Sequence, residues 1–146
     1  MSGALALIAS LPGRRCVSVR RAHHQFAGDV PSTFGPIEFG WADGDVTTFD
    51  VRSDWTLEVV ATPWFDPYAD ADEVRRAELA VEVGLWNPST PSLADPLRAV
   101  VGQSIGHVEP IFDQVADLTG VEVTFEATTV LATMYGGQLV IQVIQH

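Results

Sequence analysis

The chain contains no lysine. Its eight basic residues are all arginine and stand against 19 acidic ones, for a net charge of −11. Lysine Schiff-base chemistry and a lysine-bearing phosphate loop are thereby excluded. The same deficit of positive charge argues against nucleic acid or an anionic membrane as partner, since both need a basic footprint. Cysteine occurs once, at Cys16, which rules out an internal disulfide and a cysteine-built zinc site. Set in a valine-rich strand, it reads as a small buried hydrophobe. No apolar run approaches a membrane span. The apolar stretch at residues 4–9 lacks the preceding basic segment of a signal peptide, so a cytoplasmic location is expected. There is no Gly-rich phosphate loop, no G-x-S-x-G elbow and no H-E-x-x-H pair. No cofactor or metal is expected.

What the chain does have is apolar mass. Of its 146 residues 47% are hydrophobic and four are Trp, enough for one globular domain over residues 1–146 with a sizeable core. Lysine-free, Ala-, Val- and Asp-rich usage fits a high-GC bacterial genome. The chain also reads as containing itself twice. Leu11-Pro12-Gly13-Arg14-Arg15-Cys16 lies over Val100-Val101-Gly102-Gln103-Ser104-Ile105. Gly35 to Trp41 lies over Gly120 to Phe125 with one residue of slack, and Leu57-Glu58-Val59 over Leu139-Val140-Ile141. A unit that long, present twice, predicts two similar β-rich halves sharing one core, about residues 4–62 and 92–145.

Each half reads as a short helix followed by a four-stranded antiparallel meander. In the first, a helix over residues 4–11 stops at Pro12-Gly13. Val17 and Val19 alternate with Ser18 and Arg20 in the two-residue period of a half-buried strand, and Ile37, Phe39 and Trp41 do so opposite Glu38. Asp43-Gly44 predicts a type I′ hairpin turn. In the second, a helix over 92–101 with Ser92 as N-cap precedes a strand at 104–112. Val121, Val123 and Phe125 then alternate with Glu122 and Thr124, and Gly136-Gly137 makes a tight turn. The expected fold is α+β, mainly antiparallel, with the halves forming a sandwich or a barrel. Residues 63–91 have no counterpart. They predict a helix over 70–83 with a narrow apolar stripe of Val74, Ala77 and Val81, stopped by Gly84, then an extended connector at 86–91.

Three sets of side chains are candidates for function. Trp64, Phe65 and Tyr68 crowd into five residues stiffened by Pro63 and Pro67, and such rings dominate binding hot spots. Glu78 and Glu82 are four apart on one helix face, a like-charge pair that mildly destabilises the helix unless it serves a basic partner. His23 and His24 are adjacent on a strand, so they point to opposite faces and cannot chelate one metal together. His107 shares a face with Glu109.

Segments 35–51 (GPIEFGWADGDVTTFDV) and 55–68 (ending PWFDPY) are similar to small uncharacterised proteins of high-GC Gram-positive bacteria. That resemblance implies a hairpin and a bacterial origin, and no activity. The leading expectation is a non-enzymatic interaction module that binds a basic protein through Trp64, Phe65, Tyr68, Glu78 and Glu82, as an immunity or antitoxin protein does. A second is a small-molecule-binding β domain with a cavity lined by Phe39, Trp41, Phe125 and Met134. A third is an enzyme using His23 or His24 with nearby carboxylates. An exposed sheet edge or the apolar loop would also serve a homodimer.

Overall fold

Alternating apolar residues become strands where their other face can stay polar, and the observed order follows that pattern closely. The computed structural model describes residues 3–146. Helix α1 (Gly3–Ala9) leads into β1 (Cys16–Gln25), β2 (Ile37–Trp41), β3 (Val46–Val51) and β4 (Leu57–Val60). Helix α2 (Glu73–Glu82) and β5 (Leu85–Ser89) come next. A short 3-10 helix, Pro96–Val100, precedes β6 (Ile105–Phe112), β7 (Leu118–Phe125), β8 (Thr128–Tyr135) and β9 (Gln138–Gln145). One sheet runs β4-β3-β2-β1-β5 and the other β6-β7-β8-β9, with every pair antiparallel. Among the described residues neither sheet closes into a barrel. None of the helices there is long and apolar enough to cross a membrane.

One core draws on both sheets. Ile37, Phe39, Trp41 and Phe49 meet Val121, Val123, Phe125 and Leu139 within it. Phe39 is its hub, with ring centroids 5.5 Å from Trp41, 6.1 Å from Phe49 and 6.0 Å from Phe125 on the opposite sheet. The indole N–H of Trp41 donates to Thr47 Oγ1 at 2.9 Å, so its polar end is satisfied in the core.

The two sheets are also stitched by backbone. Gly13 N–H donates to Ile105 O at 2.8 Å and Gly102 N–H to Cys16 O at 2.7 Å. Ile105 N–H donates to Arg14 O at 2.8 Å and Cys16 N–H to Gln103 O at 2.9 Å. Arg15 and Ser104 pair at the centre of this crossing. Immediately beyond it the register slips in both sheets, between Cys16 and Ser18 in β1 and between Ile105 and His107 in β6.

That slip changes one expectation. Val17 does not share the buried face with Val19; Cys16 and Val19 are buried while Val17 is half exposed. The extra residue of a bulge turns the alternation over. The Asp43-Gly44 hairpin forms, but only Gly44 of the two takes a positive φ (92°), so the turn is not type I′. Gly136 and Gly137 both do, at 58° and 79°. Asp95, not Ser92, caps the 3-10 helix, accepting from Leu97 N–H at 2.9 Å.

Residues 63–91 depart most from expectation. Helix α2 is capped by Asp72, whose Oδ1 accepts from Arg75 N–H at 2.8 Å, and ends at Gly84, where φ is 79°. Its stripe does not dock: Val74 and Val81 are 71% and 70% exposed, and Leu79 is the buried residue. The helix lies beside the sheet edge, held by Leu79, by Arg76 on Asp66 and Tyr68 O, and by Ala27 N–H on Ala80 O. The connector beyond it is strand β5, paired with the far half of β1 from Arg21↔Ser89 to Gln25↔Leu85. Pro88 is tolerated there because β5 is an edge strand with no ladder beyond it.

Candidate functional site: an aromatic and acidic furrow

Residues opposite each other in an antiparallel ladder project to the same face. Arg20, Glu38, Thr48 and Val60 therefore form one row on the outer face of the five-stranded sheet, and Asp50 sits opposite Glu58. His24 lies opposite Trp86. The loop after β4 crosses this face without covering it completely. Two clefts remain. One, of about 440 Å³, is lined by His24, Phe26, Phe34, Asp50 and Trp86, with the tip of the β8–β9 hairpin closing its end. The other, of about 490 Å³, is lined by Asp50, Glu58, Trp64, Phe65 and Trp86. They meet at Asp50, Val51 and Trp86, which makes a single furrow with Asp50 at its middle.

Burial pushes the Asp50 carboxyl up to about 6, against the opposing pull of the Val51 N–H on its Oδ1 (2.8 Å), and the nearby Glu58 charge adds to the rise. Among the described residues neither Asp50 nor Glu58 takes part in an ion pair. No arginine lines either cleft. The aromatic wall is faceted: the His24 ring lies 5.0 Å from Trp86 at 57° and 5.0 Å from Phe26 at 89°.

The loop carrying the predicted aromatics is firmly held. Glu38 Oε2 accepts both Trp64 N–H and Arg20 Nη2 at 2.7 Å, and Arg20 Nη2 also donates to Trp64 O at 2.9 Å. The Arg20 guanidinium sits 6.0 Å from the centroid of the Trp64 ring. Phe65, 75% exposed, projects on the furrow wall. Tyr68 N–H donates to Asp66 Oδ1 at 2.9 Å, and Arg76 joins Asp66 to Tyr68 O at 3.1 and 2.9 Å. Glu78 and Glu82 line neither cleft. Arg75 lies between them, 2.9 Å from Glu78 and 3.6 Å from Glu82, so the like-charge pair is bridged rather than bare.

Of the four residues expected to line a cavity, Phe39, Trp41 and Phe125 are buried in the core, ring against ring, and Met134 packs half-buried against it. The two histidines diverge as a strand requires: His23 Nδ1 is 2.7 Å from Ser32 O and His24 Nε2 is 2.7 Å from Val83 O. His107 Nε2 is 3.1 Å from Glu109 Oε2 on the surface. Burial raises the Cys16 thiol to about 11, and its Sγ donates to Ser18 O at 3.2 Å. Among the described residues no three His, Cys, Asp or Glu side chains converge on a point that would hold a metal.

Sequence reasoning reached Trp64 and Phe65 but not Asp50 or Trp86. The alternation of Thr48 and Asp50 in β3 marks them as one polar face. Nothing local says that Trp86 comes to lie on the same face. Arg21 was also missed. On the core side of β1, it donates to Pro36 O (3.2 Å), Gly35 O (3.1 Å) and Thr33 O (3.3 Å), and so fixes the loop that supplies Phe34. Comparison with family models, curated proteins and solved structures finds no match, so the furrow is read from its own chemistry.

Proposed function

We propose that the protein is a non-enzymatic recognition module for a basic protein partner, of the kind an immunity or antitoxin protein represents, and that the furrow is its docking surface. The observation that carries this reading is the junction of the two clefts at Asp50 and Trp86. There a carboxylate without a counter-charge stands among aromatic rings in a chain of net charge −11. A cationic, partly apolar partner complements both properties, and charge complementarity speeds its encounter. Trp64 and Phe65 belong to this surface. Glu78 and Glu82 add long-range field beside it.

The tagged protein, used as bait in an extract of its own host beside an Asp50→Asn/Glu58→Gln bait, tests this. A stoichiometric basic protein held at low salt, lost at high salt and missing from the double variant is the expected result. Equal capture by both baits moves the interface elsewhere, and an empty bait removes the reading. A second reading, a small-molecule-binding domain, draws on the apolar walls of the 440 Å³ cleft. The enzyme reading keeps one supporting feature, His24 and Asp50 in one cleft. Replacing each in turn without loss of a detected activity would end it.

We further infer that the two halves repeat one unit and pack as a two-layer sandwich. The reciprocal bonds at the crossing support this, because Gly13 corresponds to Gly102, Arg14 to Gln103 and Cys16 to Ile105 in the sequence overlay. The matched bulges that follow lend the same support.

A further inference from the structure

We infer that the end of the furrow bounded by Trp86, His24, Phe34 and Asp50 is a socket for one guanidinium group on an alkyl stem, the side chain of an arginine. This rests on the docking reading above and names the residue type that anchors the partner.

The walls and floor specify the group. Trp86, His24 and Phe26 line the cleft as one packed aromatic wall, with the His24 ring 5.0 Å from each of the other two, and a cation is attracted to the face of an aromatic ring, most strongly to Trp. Asp50 supplies the counter-charge from the floor, with Val51 N–H on Oδ1 and no hydrogen bond to Oδ2 among the described residues. Two further carboxylates stand near: Asp29 in the same cleft and Glu58 opposite Asp50 on β4. Among the described residues the other ionisable group lining that cleft is His24. Its Nε2 faces the carbonyl of Val83, which can only accept, so Nε2 carries hydrogen. Between the common cations, a guanidinium is planar and weakly hydrated. It stacks on rings and surrenders less hydration on entering an aromatic cleft than an ammonium does. The apolar residues Val51 and Leu139 in the lining suit its methylene stem.

A glycine lets the loop that lines the socket pack closely against β1. A side chain at Gly35, where φ is 144°, would place its Cβ 2.0 Å from Ala22 O and 3.2 Å from Trp86 Cζ3. Gly35 N–H donates to Leu139 O at 3.2 Å, which ties this wall to the second sheet. Bulk here would drive the loop off the Ala22 carbonyl and press on the edge of the Trp86 ring.

The test uses three blocked amino acids with neutral ends, N-acetyl-arginine methylamide and its lysine and citrulline counterparts, followed by calorimetry and tryptophan fluorescence on the full chain. Citrulline has the shape of arginine without the charge. The expected result is binding of the arginine probe, at least about tenfold weaker binding of citrulline, and a similar loss in Asp50→Asn. Trp86→Leu is expected to abolish binding and the fluorescence response. Equal binding of arginine and citrulline, tighter binding of lysine, or no binding of arginine overturns the socket. The two readings separate cleanly. Arginine binding with an empty bait leaves the socket standing and removes the protein partner. A captured basic protein that excess arginine probe does not displace leaves the partner and removes the socket.

Discussion

The two sheets share one core and differ most on their outer faces. Both are antiparallel meanders behind a short helix, and both turn an apolar face to the common core. On the outer face of the four-stranded sheet, Glu109, Glu122, Leu131 and Gln142 lie in one row across all four strands. The corresponding face of the other sheet is crossed by residues 61–72 and extended by β5, which adds Trp64, Phe65 and Trp86 to a polar surface. The comparison teaches that the two sheets account for the core, and that residues 61–89 turn a polar sheet face into one with walls.

The comparison breaks most severely at the shared core. Phe39→Ala removes the ring that touches both sheets, and a loss of about 3–5 kcal/mol is expected, read from the urea midpoint. Both sheets should unfold in one transition; separate transitions by far-UV and near-UV signals would show that each half holds itself. Arg21→Met comes next. It removes the side-chain donor to Thr33 O and Gly35 O and one of two donors to Pro36 O, which keeps Ala22 N–H, and about 2–3 kcal/mol should be lost. Hydrogen exchange should accelerate at residues 33–36 first, with little change in the four-stranded sheet; uniform acceleration would count against a local role.

Replacing Asp50 acts with the opposite sign. Its folded carboxyl, raised to about 6 from 3.8, holds its proton more tightly than the unfolded chain does. Its favourable contribution is therefore complete below about pH 4 and is lost as pH rises to about 6. The rise from 3.8 to about 6 sets a ceiling of about 3 kcal/mol, which partial solvent access reduces to about 1–2 kcal/mol. Asp50→Asn should stabilise the protein by that amount at neutral pH and flatten its stability between pH 4 and 6. A less stable variant would mean that the carboxylate is already satisfied within the fold. A group that costs stability and stays in a cleft is what a binding site looks like before its ligand arrives.

The smallest effect belongs to the exposed pairs. Arg75→Ala leaves Glu78 and Glu82 facing each other and should cost a few tenths of a kcal/mol, less at high salt. A loss above about 1 kcal/mol would show that α2 is held by its charges as well as by Leu79.

Much of the scaffold was legible in the chain. The alternation of Ile37, Phe39 and Trp41, and of Val121, Val123 and Phe125, identified core strands because a two-residue period is a local property. Gly136-Gly137 identified a hairpin because few residues accept positive φ twice running. The inserted segment was less legible. Val74 and Val81 looked like a docking stripe, yet a periodic pattern does not say whether a partner surface exists. The connector at 86–91 looked featureless because its partner strand lies far away in the chain, and Pro88 masked its pairing. The candidate site was half legible for the same reason: Trp64 and Phe65 stand out as a cluster in sequence, whereas Asp50 and Trp86 become neighbours only through β1.

By itself, then, the sequence determined most of the strands, the apolar face of those at the centre of the core, where two hairpins turn, and the sign of the molecule's net charge. These follow from side-chain period, backbone freedom and composition, all of which act over a few residues or over the whole chain. The tertiary structure alone decided the slip that exposes Val17, the pairing of β5 with β1 and the burial of Asp50 beside Trp86. Each of these depends on long-range contact, where the environment a residue meets comes from distant parts of the chain, and it is that environment which moved the Asp50 carboxyl upward.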